Sequence, residues 1–283
     1  MTRLVALIGT PLKRRHSVVM HNAAFDAAGI DARYELMEID ADAVPGVVAA
    51  ARGPEYLGLG VTAPYKRIVA ELVDEVEGDA RAIGAVNNVV RTDDGRLVGI
   101  NTDAPGFRAG VELAMGRSLR GTEVVVAGAG GAAHAVVYAL LTAGAARVTV
   151  GNRAVDAAHG LADRFSSIGD CLSTELDGDT FRDALGSADL AVNATTVGMV
   201  DPGMTIDVEA LPVTATVFDL VYVPPETPLL AAARARGLRA ANGSEMLIQQ
   251  AAIAFERWTG VGGMADVMRE AVAPLLADAT VIA

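Results

Sequence analysis

The first hundred residues alternate short apolar runs with segments of helical spacing. Leu4–Gly9 has the pattern of a buried strand, and Val18–Ala28 that of a helix closed by Gly29, which suits the position after a helix end. Tyr34–Ile39 alternates polar and apolar residues, as a half-buried strand does. Further elements are predicted as a helix at Asp42–Arg52 and strands at Leu57–Thr62, Val86–Arg91 and Arg96–Ile100. Strands that alternate with helices predict an α/β layer with a mainly parallel sheet.

A second unit begins near Gly121. Its β-branched run Glu123–Ala127 leads through a glycine-rich turn into an Ala/Val/Leu helix that ends at Gly144. The βα rhythm then continues, and from Gly243 onward the pattern is helical apart from a glycine-rich break at Gly260–Gly263. The stretch Ala231–Arg239 is interpreted as a solvated amphipathic helix. Short connections predict two closely packed units that enclose a cleft.

Composition narrows the class of protein. The chain has 283 residues, 52% hydrophobic and 20% charged, which excludes a disordered chain and fits two domains. A net charge of −12 argues against wrapping nucleic acid or lying on anionic lipid. Cys171 is the only cysteine and the four histidines lack ligand spacing, so we expect no metal site. No apolar run suits a signal peptide or a membrane span, which predicts a cytoplasmic protein.

The turn after the second unit's first strand carries a nucleotide-binding pattern. Gly128-x-Gly130-x-x-Ala133 stands between a β-branched strand and a helix, which is the dinucleotide fingerprint in its G-x-G-x-x-A form. A pyrophosphate would rest on the exposed N–H groups of Gly130, Gly131 and Ala132 at the positive end of the helix. The alternative is a glycine-rich βα turn that holds no ligand.

The end of the next strand indicates which dinucleotide is bound. An NAD site usually has a carboxylate there for the ribose hydroxyls. Here Gly151 is followed by Asn152 and Arg153, and no carboxylate appears until Asp156. A guanidinium can instead clamp a 2′-phosphate, so the sequence favours NADP over NAD. A solvated loop arginine is the alternative.

Three segments of the first unit are too specific for ordinary loops: Val61-Thr62-Ala63-Pro64-Tyr65-Lys66, Gly84-Ala85-Val86-Asn87-Asn88 and Asn101-Thr102-Asp103. With them the chain resembles the shikimate/quinate dehydrogenase family, whose members carry V-T-x-P-[FY]-K, G-A-V-N and N-T-D at similar spacing. Other segments similar to the family are Gly9-Thr10-Pro11, Ser17, His21-Asn22, Asn193-Ala194-Thr195, Asp219-Leu220-Val221-Tyr222 and Met246-Leu247 with Gln250. The resemblance implies an α/β substrate-binding and catalytic domain (1–103 plus 243–283, with C-terminal helices returning to it) and a Rossmann-type NAD(P)-binding domain (104–242).

The resemblance also implies that Lys66 and Asp103 are the catalytic pair. Oxidation of a secondary alcohol needs a nicotinamide as hydride acceptor and a group that takes the hydroxyl proton, which a lysine can do if burial lowers its pKa. A neighbouring carboxylate would orient it. Without the motifs, Lys66 would be interpreted as a solvated lysine at a helix start and Asp103 as a helix N-cap.

The same resemblance gives Asn87, Thr62, Tyr222 and Gln250 hydrogen bonds to substrate hydroxyls. Each has a structural alternative: Thr62 as a strand end, Tyr222 as a half-buried rim residue, and Gln250 as part of a helix face. Asn193 and Thr195 are expected to shape the nicotinamide side of the cofactor site.

The departures from the family pattern concern the substrate. The family's S-x-S-P falls on Arg15-His16-Ser17-Val18, so only the second carboxylate-binding serine is present, and Arg15 would either bind that carboxylate or block it. The asparagine that often precedes V-T-x-P is Gly60, which removes a contact to a substrate hydroxyl. In the cofactor domain, the N-R-[TS] motif ends in Ala154 and so lacks a phosphate-binding hydroxyl. The catalytic pair is retained, which predicts an active enzyme with a shifted substrate.

The sequence thus predicts an NAD(P)-dependent oxidoreductase that interconverts a cyclic polyol carboxylate and its 3-dehydro ketone. Shikimate, quinate or an amino analogue would be the substrate, with a place in aromatic amino acid biosynthesis. The alternative is a catalytically silent homologue that binds NAD(P) or a metabolite as a regulator. A monomer and a homodimer are both open.

Overall fold

A computed structural model describes residues 2–13 and 15–277. The chain forms two compact units, one of Met1–Thr102 with Ile248–Leu275 and the other built on Asp103–Leu247. This division differs from the predicted domains at Asp103, which begins a helix of the second unit, and at residues 243–247. The predicted domain boundaries stay a prediction.

A mixed six-stranded sheet forms the first unit. Its strands are β1 (Arg3–Gly9), β2 (Ala32–Glu38), β3 (Tyr56–Val61), β4 (Glu75–Val76), β5 (Asn88–Arg91) and β6 (Leu97–Ile100), in the order β2-β1-β3-β5-β6-β4. Only β5 runs against its neighbours, so the sheet is mainly parallel as predicted. The helices that begin here are α1 (His16–Ala28), α2 (Val44–Ala50), α3 (Lys66–Ala70) and α4 (Gly78–Ile83).

Local chemistry explains where these elements end. Gly29 closes α1 at φ 64°, a left-handed conformation that glycine adopts without steric cost. Pro45 stands in the first turn of α2, where its missing N–H is not needed. The apolar side chains of β1, β3 and β5 form one core with those of α2, with Ile8, Leu59 and Val89 fully buried.

The second unit is a parallel sheet flanked by helices. Its strands are β7 (Glu123–Ala127), β8 (Arg147–Asn152), β9 (Cys171–Glu175), β10 (Leu190–Asn193), β11 (Thr216–Asp219) and β12 (Arg239–Asn242), in the order β12-β11-β10-β7-β8-β9. Counted within the unit, this is the doubly wound order 6-5-4-1-2-3 of dinucleotide-binding folds. Its helices are α5 (Asp103–Met115), α6 (Gly131–Thr142), α7 (Val155–Phe165), α8 (Asp179–Leu185) and α9 (Pro228–Ala235).

Two helices complete the described chain, α10 (Ser244–Thr259) and α11 (Ala265–Ala277), separated by the predicted glycine-rich break. The boundary between the units falls inside α10. At its start, a Cβ placed on Gly110 of α5 would lie 2.9 Å from the Met246 nitrogen, so glycine allows the two helices to approach closely. No helix within residues 2–13 and 15–277 has the length and apolar character needed to cross a membrane.

The prediction of a solvated helix over Ala231–Arg239 was correct for the helix up to Ala235 and wrong for the residues after it. The helix α9 ends at Ala235, Gly237 turns the chain at φ 76°, and Arg239 begins β12. The helix is also not wholly solvated, because Leu229, Leu230 and Ala233 are buried in the core of the second unit. Alanine and arginine favour helices, but parallel pairing with β11 decides the conformation at Arg239–Asn242.

An aromatic stack joins α1, β2 and α10 in the first unit. The His21 ring stacks on Tyr34 with ring centroids 4.4 Å apart, and Trp258 tilts against His21 at 5.1 Å. The Trp258 indole donates to the Val89 carbonyl at 3.0 Å. His21 is 2% exposed, and its Nδ1 has no hydrogen-bond partner among the described residues.

This burial makes His21 a source of acid sensitivity. Desolvation lowers the pKa of His21 from 6.5 to about 3. Between these values the unfolded chain binds a proton that the folded chain does not, so stability falls as the pH drops below 6.5. We expect a loss of about 2 kcal/mol in the free energy of unfolding of this unit from pH 8 to pH 5. Urea titrations at several pH values measure the free energy of unfolding. His21→Phe should reduce its dependence on pH, whereas His159→Phe, at an exposed position, should not. An equal pH dependence in wild type and His21→Phe would contradict this.

Candidate active site

The three unusual segments of the first unit meet through backbone hydrogen bonds. Lys66 is the first residue of α3, half-buried, and its carbonyl accepts from the Val86 N–H at 2.9 Å. The Val61 N–H donates to the Asn87 carbonyl at 2.8 Å, and the Asn87 N–H donates to the Ile100 carbonyl at 3.1 Å. The ends of β3 and β6 and the start of β5 are thereby fixed against one another.

Asn87 and Thr102 form a buried polar centre where these segments meet. Asn87 is 5% exposed and Thr102 1% exposed. The Asn87 Oδ1 accepts from the Thr102 N–H at 2.8 Å, and its Nδ2 donates to Thr102 Oγ1 at 3.1 Å. Asn101 Nδ2 donates to the Ala85 carbonyl at 2.9 Å, which adds a second tie between the two motifs. Buried polar groups connected in this way hold one geometry, because breaking any bond leaves a desolvated partner.

Gln250 of α10 joins this centre through Thr102. The Thr102 hydroxyl donates to Gln250 Oε1 at 3.2 Å and accepts from Asn88 Nδ2 at 2.9 Å. A hydroxyl has one hydrogen, so the 3.2 Å contact is favoured over the 3.5 Å contact from the same hydroxyl to Asn87 Oδ1. The structure therefore brings together two predicted substrate residues, Asn87 and Gln250.

Sequence reasoning missed the roles of Thr102 and Asn88 in this centre. Both residues stand within the quoted motifs, but neither was assigned a function. The two predicted strands Val86–Arg91 and Arg96–Ile100 carried the signal. When they pair, Asn88 lies opposite Ile100, and Thr102, two residues further on, lies beside Asn87. Thr102 is bonded to the side chains of Asn87, Asn88 and Gln250, and Asn88 Nδ2 also donates directly to Asn87 Oδ1 at 3.0 Å.

Lys66 and Asp103 are each linked through the backbone to a neighbour of Asn87. The carbonyl of Lys66 is bonded to Val86, the residue before Asn87. Asp103 follows Thr102 directly, so their Cα atoms lie about 3.8 Å apart. Thr102 is itself hydrogen-bonded to Asn87. Asp103 is also the first residue of α5, where the helix dipole favours a negative charge.

Thr62 follows the end of β3, and its N–H donates to the Ile8 carbonyl at 2.9 Å. A Cβ on Gly9 would overlap Thr62 Cγ2, so the glycine of Gly9-Thr10-Pro11 leaves space for this threonine. Tyr65 in the same motif points inward instead. Its hydroxyl donates to the Ile39 carbonyl at 2.7 Å and its side chain is 2% exposed, which makes it part of the core.

Arg15 and Ser17 stand at the start of α1. Arg15 is exposed and precedes the helix, where its carbonyl accepts from the Val19 N–H at 3.1 Å. Ser17 is half-buried in the first turn and shares a hydrogen bond with the hydroxyl of Tyr34. The predicted carboxylate site is thus built from one exposed cation and one partly buried hydroxyl.

The glycine-rich turn of the second unit has the shape that a pyrophosphate requires. Gly128 adopts φ 109°, and a Cβ there would lie 2.7 Å from Thr195 Cγ2, so only glycine fits. At Gly130 and Gly131 a Cβ would meet no atom within 4 Å, which leaves open space over the first turn of α6. Ala132 is exposed in that same turn. These residues fit a dinucleotide phosphate at a helix N-terminus.

The Asn193 side chain makes hydrogen bonds inside the protein and does not face a ligand. It is 1% exposed, and its Nδ2 donates to Asp219 Oδ1 at 2.8 Å and to the Val197 carbonyl at 3.1 Å. Its Oδ1 accepts from the N–H and the hydroxyl of Thr195, at 3.1 and 2.7 Å. Asn193 therefore shapes the loop after β10, and half-buried Thr195 packs over Gly128.

The remaining predicted residues lie at other strand ends of the second unit. Asn152 ends β8, its Nδ2 donates to the Ala154 carbonyl at 3.0 Å, and the neighbouring Arg153 is exposed. Tyr222 is half-buried three residues after β11, and its role as a substrate contact stays a prediction. Within residues 2–13 and 15–277, no group of three or more His, Cys, Asp or Glu side chains is arranged to hold a metal ion.

Three family patterns match successive parts of the chain. The shikimate dehydrogenase substrate binding domain matches residues 7–89, shikimate / quinate 5-dehydrogenase matches residues 112–200, and the shikimate 5′-dehydrogenase C-terminal domain matches residues 243–273. Shikimate dehydrogenase (NADP(+)) of Methanopyrus kandleri is 41% identical over 276 residues, which cover 96% of this chain and 95% of the relative. The chain belongs to the shikimate dehydrogenase family.

Solved structures of the family share the fold. Shikimate 5-dehydrogenase from Thermus thermophilus, in complex with NADP(H) and shikimate, superimposes with a TM-score of 0.85 at 36% identity, covering 96% of this chain and 99% of that one. Quinate dehydrogenase from Corynebacterium glutamicum, in complex with NAD, gives a TM-score of 0.90 at 35% identity, with coverage of 96% and 99%. The predicted family and α/β fold with a Rossmann-type domain are confirmed.

Proposed function

We propose that this protein is an NADP-dependent oxidoreductase that interconverts shikimate, quinate or a closely related cyclic polyol carboxylate and its 3-dehydro ketone. The observation that carries the proposal is the buried Asn87–Thr102 centre, which is bonded to Gln250. Lys66 is bonded to Val86, the residue before Asn87, and Asp103 follows Thr102 in the chain. Relatives named shikimate dehydrogenase (NADP(+)) match nearly the whole chain, which supports NADP as the cofactor.

The chain's own residues would bind the substrate and move a proton. NADP, when bound, supplies the acceptor for the hydride that leaves the carbinol carbon. During oxidation the Lys66 amine takes the proton of the reacting hydroxyl, and during reduction it returns that proton to the carbonyl oxygen. Asp103 orients the lysine and hydrogen-bonds the same substrate. Asn87, Thr62, Gln250 and Tyr222 fix the ring hydroxyls, so that the reacting carbon is held in one position.

Initial-rate assays of the purified protein across a substrate panel test the proposal. The panel combines shikimate, quinate and their amino analogues with NADP and with NAD. We expect turnover of at least one polyol carboxylate, faster with NADP than with NAD. Tight binding of NADP with no ketone formed from any member would contradict the proposal and favour the silent regulatory homologue.

Arg15 is proposed to bind the substrate carboxylate together with Ser17. Arg15 is exposed just before α1, two residues ahead of the partly buried serine, and a guanidinium can bind a carboxylate with two parallel bonds. We expect Arg15→Ala to raise the KM of the preferred substrate by about 10- to 100-fold, as loss of a charged hydrogen bond does. Arg33→Ala, which removes an exposed arginine paired with Glu35, is the control. A lower KM in Arg15→Ala would show that Arg15 blocks the site.

Arg153 is proposed to bind the 2′-phosphate that distinguishes NADP from NAD. It is exposed directly after the end of β8, beside the open glycine turn that follows the neighbouring strand β7. We expect Arg153→Ala to raise the KM for NADP by about 10- to 100-fold and that for NAD by less than about threefold. Kinetics with NAD serve as the internal control. An equal change for both cofactors would contradict this role.

A further inference from the structure

Tyr34 brings a hydroxyl group into the substrate domain beside the proposed carboxylate site, and the mechanism above does not use it. Its side chain is 3% exposed, and its hydroxyl shares a hydrogen bond with Ser17. Burial raises the pKa of Tyr34, so the phenol stays protonated and able to donate. Because buried polar groups are almost always hydrogen-bonded, the contact with Ser17 satisfies the Tyr34 hydroxyl.

Gly60 provides the space that the hydroxyl occupies. A Cβ placed on Gly60 would lie 2.5 Å from Tyr34 Oη and 3.0 Å from Leu7 Cδ1. Real Cβ atoms do not come this close to an oxygen, so any other residue at this position would displace the tyrosine hydroxyl. Gly60 stands near the end of β3, two residues before Thr62, so the hydroxyl lies close to the proposed substrate contacts.

The first helix fixes both partners of the Ser17–Tyr34 hydrogen bond. Ser17 and His21 are four residues apart on α1 and so lie on the same face. His21 stacks on the Tyr34 ring, with ring centroids 4.4 Å apart. The Asn22 side chain binds the Tyr34 backbone twice: its Oδ1 accepts from the Tyr34 N–H at 2.8 Å, and its Nδ2 donates to the Tyr34 carbonyl at 3.1 Å. The tyrosine is therefore held by its ring and its backbone, and its hydroxyl shares a hydrogen bond with the serine.

We propose that Tyr34 is a positioning residue for substrate recognition: admitted by Gly60 and held by α1, its hydroxyl shares a hydrogen bond with Ser17 and holds the serine side chain in the orientation that binds the substrate carboxylate. This inference rests on the proposed function, because it takes Ser17 as a substrate ligand. It deepens that function by assigning part of the carboxylate specificity to a residue that does not touch the substrate.

Calorimetric titration of the full-length protein with shikimate, without cofactor, measures this effect independently of turnover. Tyr34→Phe keeps the ring stack and removes only the hydroxyl. We expect it to raise the Kd for shikimate by about 3- to 10-fold, the usual effect of one neutral hydrogen bond, while kcat stays within about twofold. Tyr56→Phe is the matched control in the same sheet and should bind shikimate as wild type does.

Two double-mutant cycles separate positioning from a structural role. Ser17→Ala should raise the Kd, and Ser17→Ala with Tyr34→Phe should raise it no further than Ser17→Ala alone. Gly60→Ala should weaken binding like Tyr34→Phe, because its Cβ displaces the hydroxyl, yet add little in the Tyr34→Phe background. Effects that multiply in either cycle would overturn the inference, as would wild-type affinity in Tyr34→Phe.

The outcomes distinguish this inference from the proposed function. Shikimate binding that depends on Tyr34 in a protein that turns over no polyol carboxylate would support the inference and contradict the proposed activity. Turnover of shikimate with unchanged affinity in Tyr34→Phe would contradict the inference alone. No measurable binding of shikimate to the wild-type protein would overturn both the assignment of shikimate and the role of Tyr34 in its binding.

Discussion

Replacing Lys66 with alanine is expected to lower kcat by about 10²- to 10⁴-fold, the usual contribution of a positioned acid–base group. The loss should appear far more in kcat than in KM, because the ring hydroxyls and the carboxylate keep their other partners. Only the side chain is removed, and the Lys66 carbonyl that accepts from Val86 is retained. Steady-state kinetics with the preferred substrate and NADP measure the change.

Two further variants separate proton transfer from charge and from local structure. Lys66→Arg keeps a positive charge but not a group that can give up a proton near neutral pH, so it should be nearly as inactive as Lys66→Ala. Arg67→Ala removes the exposed neighbour on α3 and should keep wild-type rates. Near-wild-type turnover in Lys66→Ala would show that another group transfers the proton.

Asp103→Asn is expected to lower kcat by about 10²- to 10³-fold, because the amide can occupy the same space but neither carries the charge nor accepts two bonds as a carboxylate does. The affinity for NADP should not change, since the residue is assigned to the substrate and to Lys66. Kinetics and calorimetric titration with NADP measure these two quantities separately.

A matched variant isolates the effect of the helix. Asp179→Asn also replaces the first residue of a helix, α8, at an exposed position. Both substitutions remove a negative charge from the positive end of a helix, which costs about 0.3–1 kcal/mol of stability. We expect both variants to show a similar small decrease in melting temperature. Only Asp103→Asn should lose turnover. Equal turnover in the two variants would refute a catalytic role for Asp103.

Much of the fold and the cofactor turn could be predicted from local pattern. Strands and turns around Gly128 follow from short-range rules, since a β-branched run, glycines and an alanine-rich helix each have a local cause. The family motifs also marked the position of the polar centre, because Asn87 and Thr102 both belong to them. The position of β12 was missed because its conformation depends on pairing with a strand more than twenty residues earlier.

Other features depend on which strands are neighbours. Tyr34 pairs with Val5, and Gly60 pairs with Leu7 on the other side of the same strand. Only this arrangement across β1 places the tyrosine hydroxyl where a Gly60 side chain would stand. The sequence predicts only that Gly60 removes a contact to a substrate hydroxyl; the structure shows that the Tyr34 hydroxyl occupies the space a side chain would take there. The side chain of Asn193 bonds internally to Val197, Asp219 and Thr195, and its role at the cofactor site stays a prediction.

The stoichiometry of the reaction tests most directly whether the protein oxidises a polyol carboxylate with NADP. Purified wild-type protein is incubated with the best substrate of the panel and a known amount of NADP. Reduced cofactor is followed by absorbance, and the ketone is quantified in the same sample by ¹³C NMR. One molecule of 3-dehydro ketone is expected for each NADP reduced, at a rate that falls steeply in Lys66→Ala. Reduction of NADP without an equal amount of ketone, or no reduction with any polyol carboxylate, would contradict it.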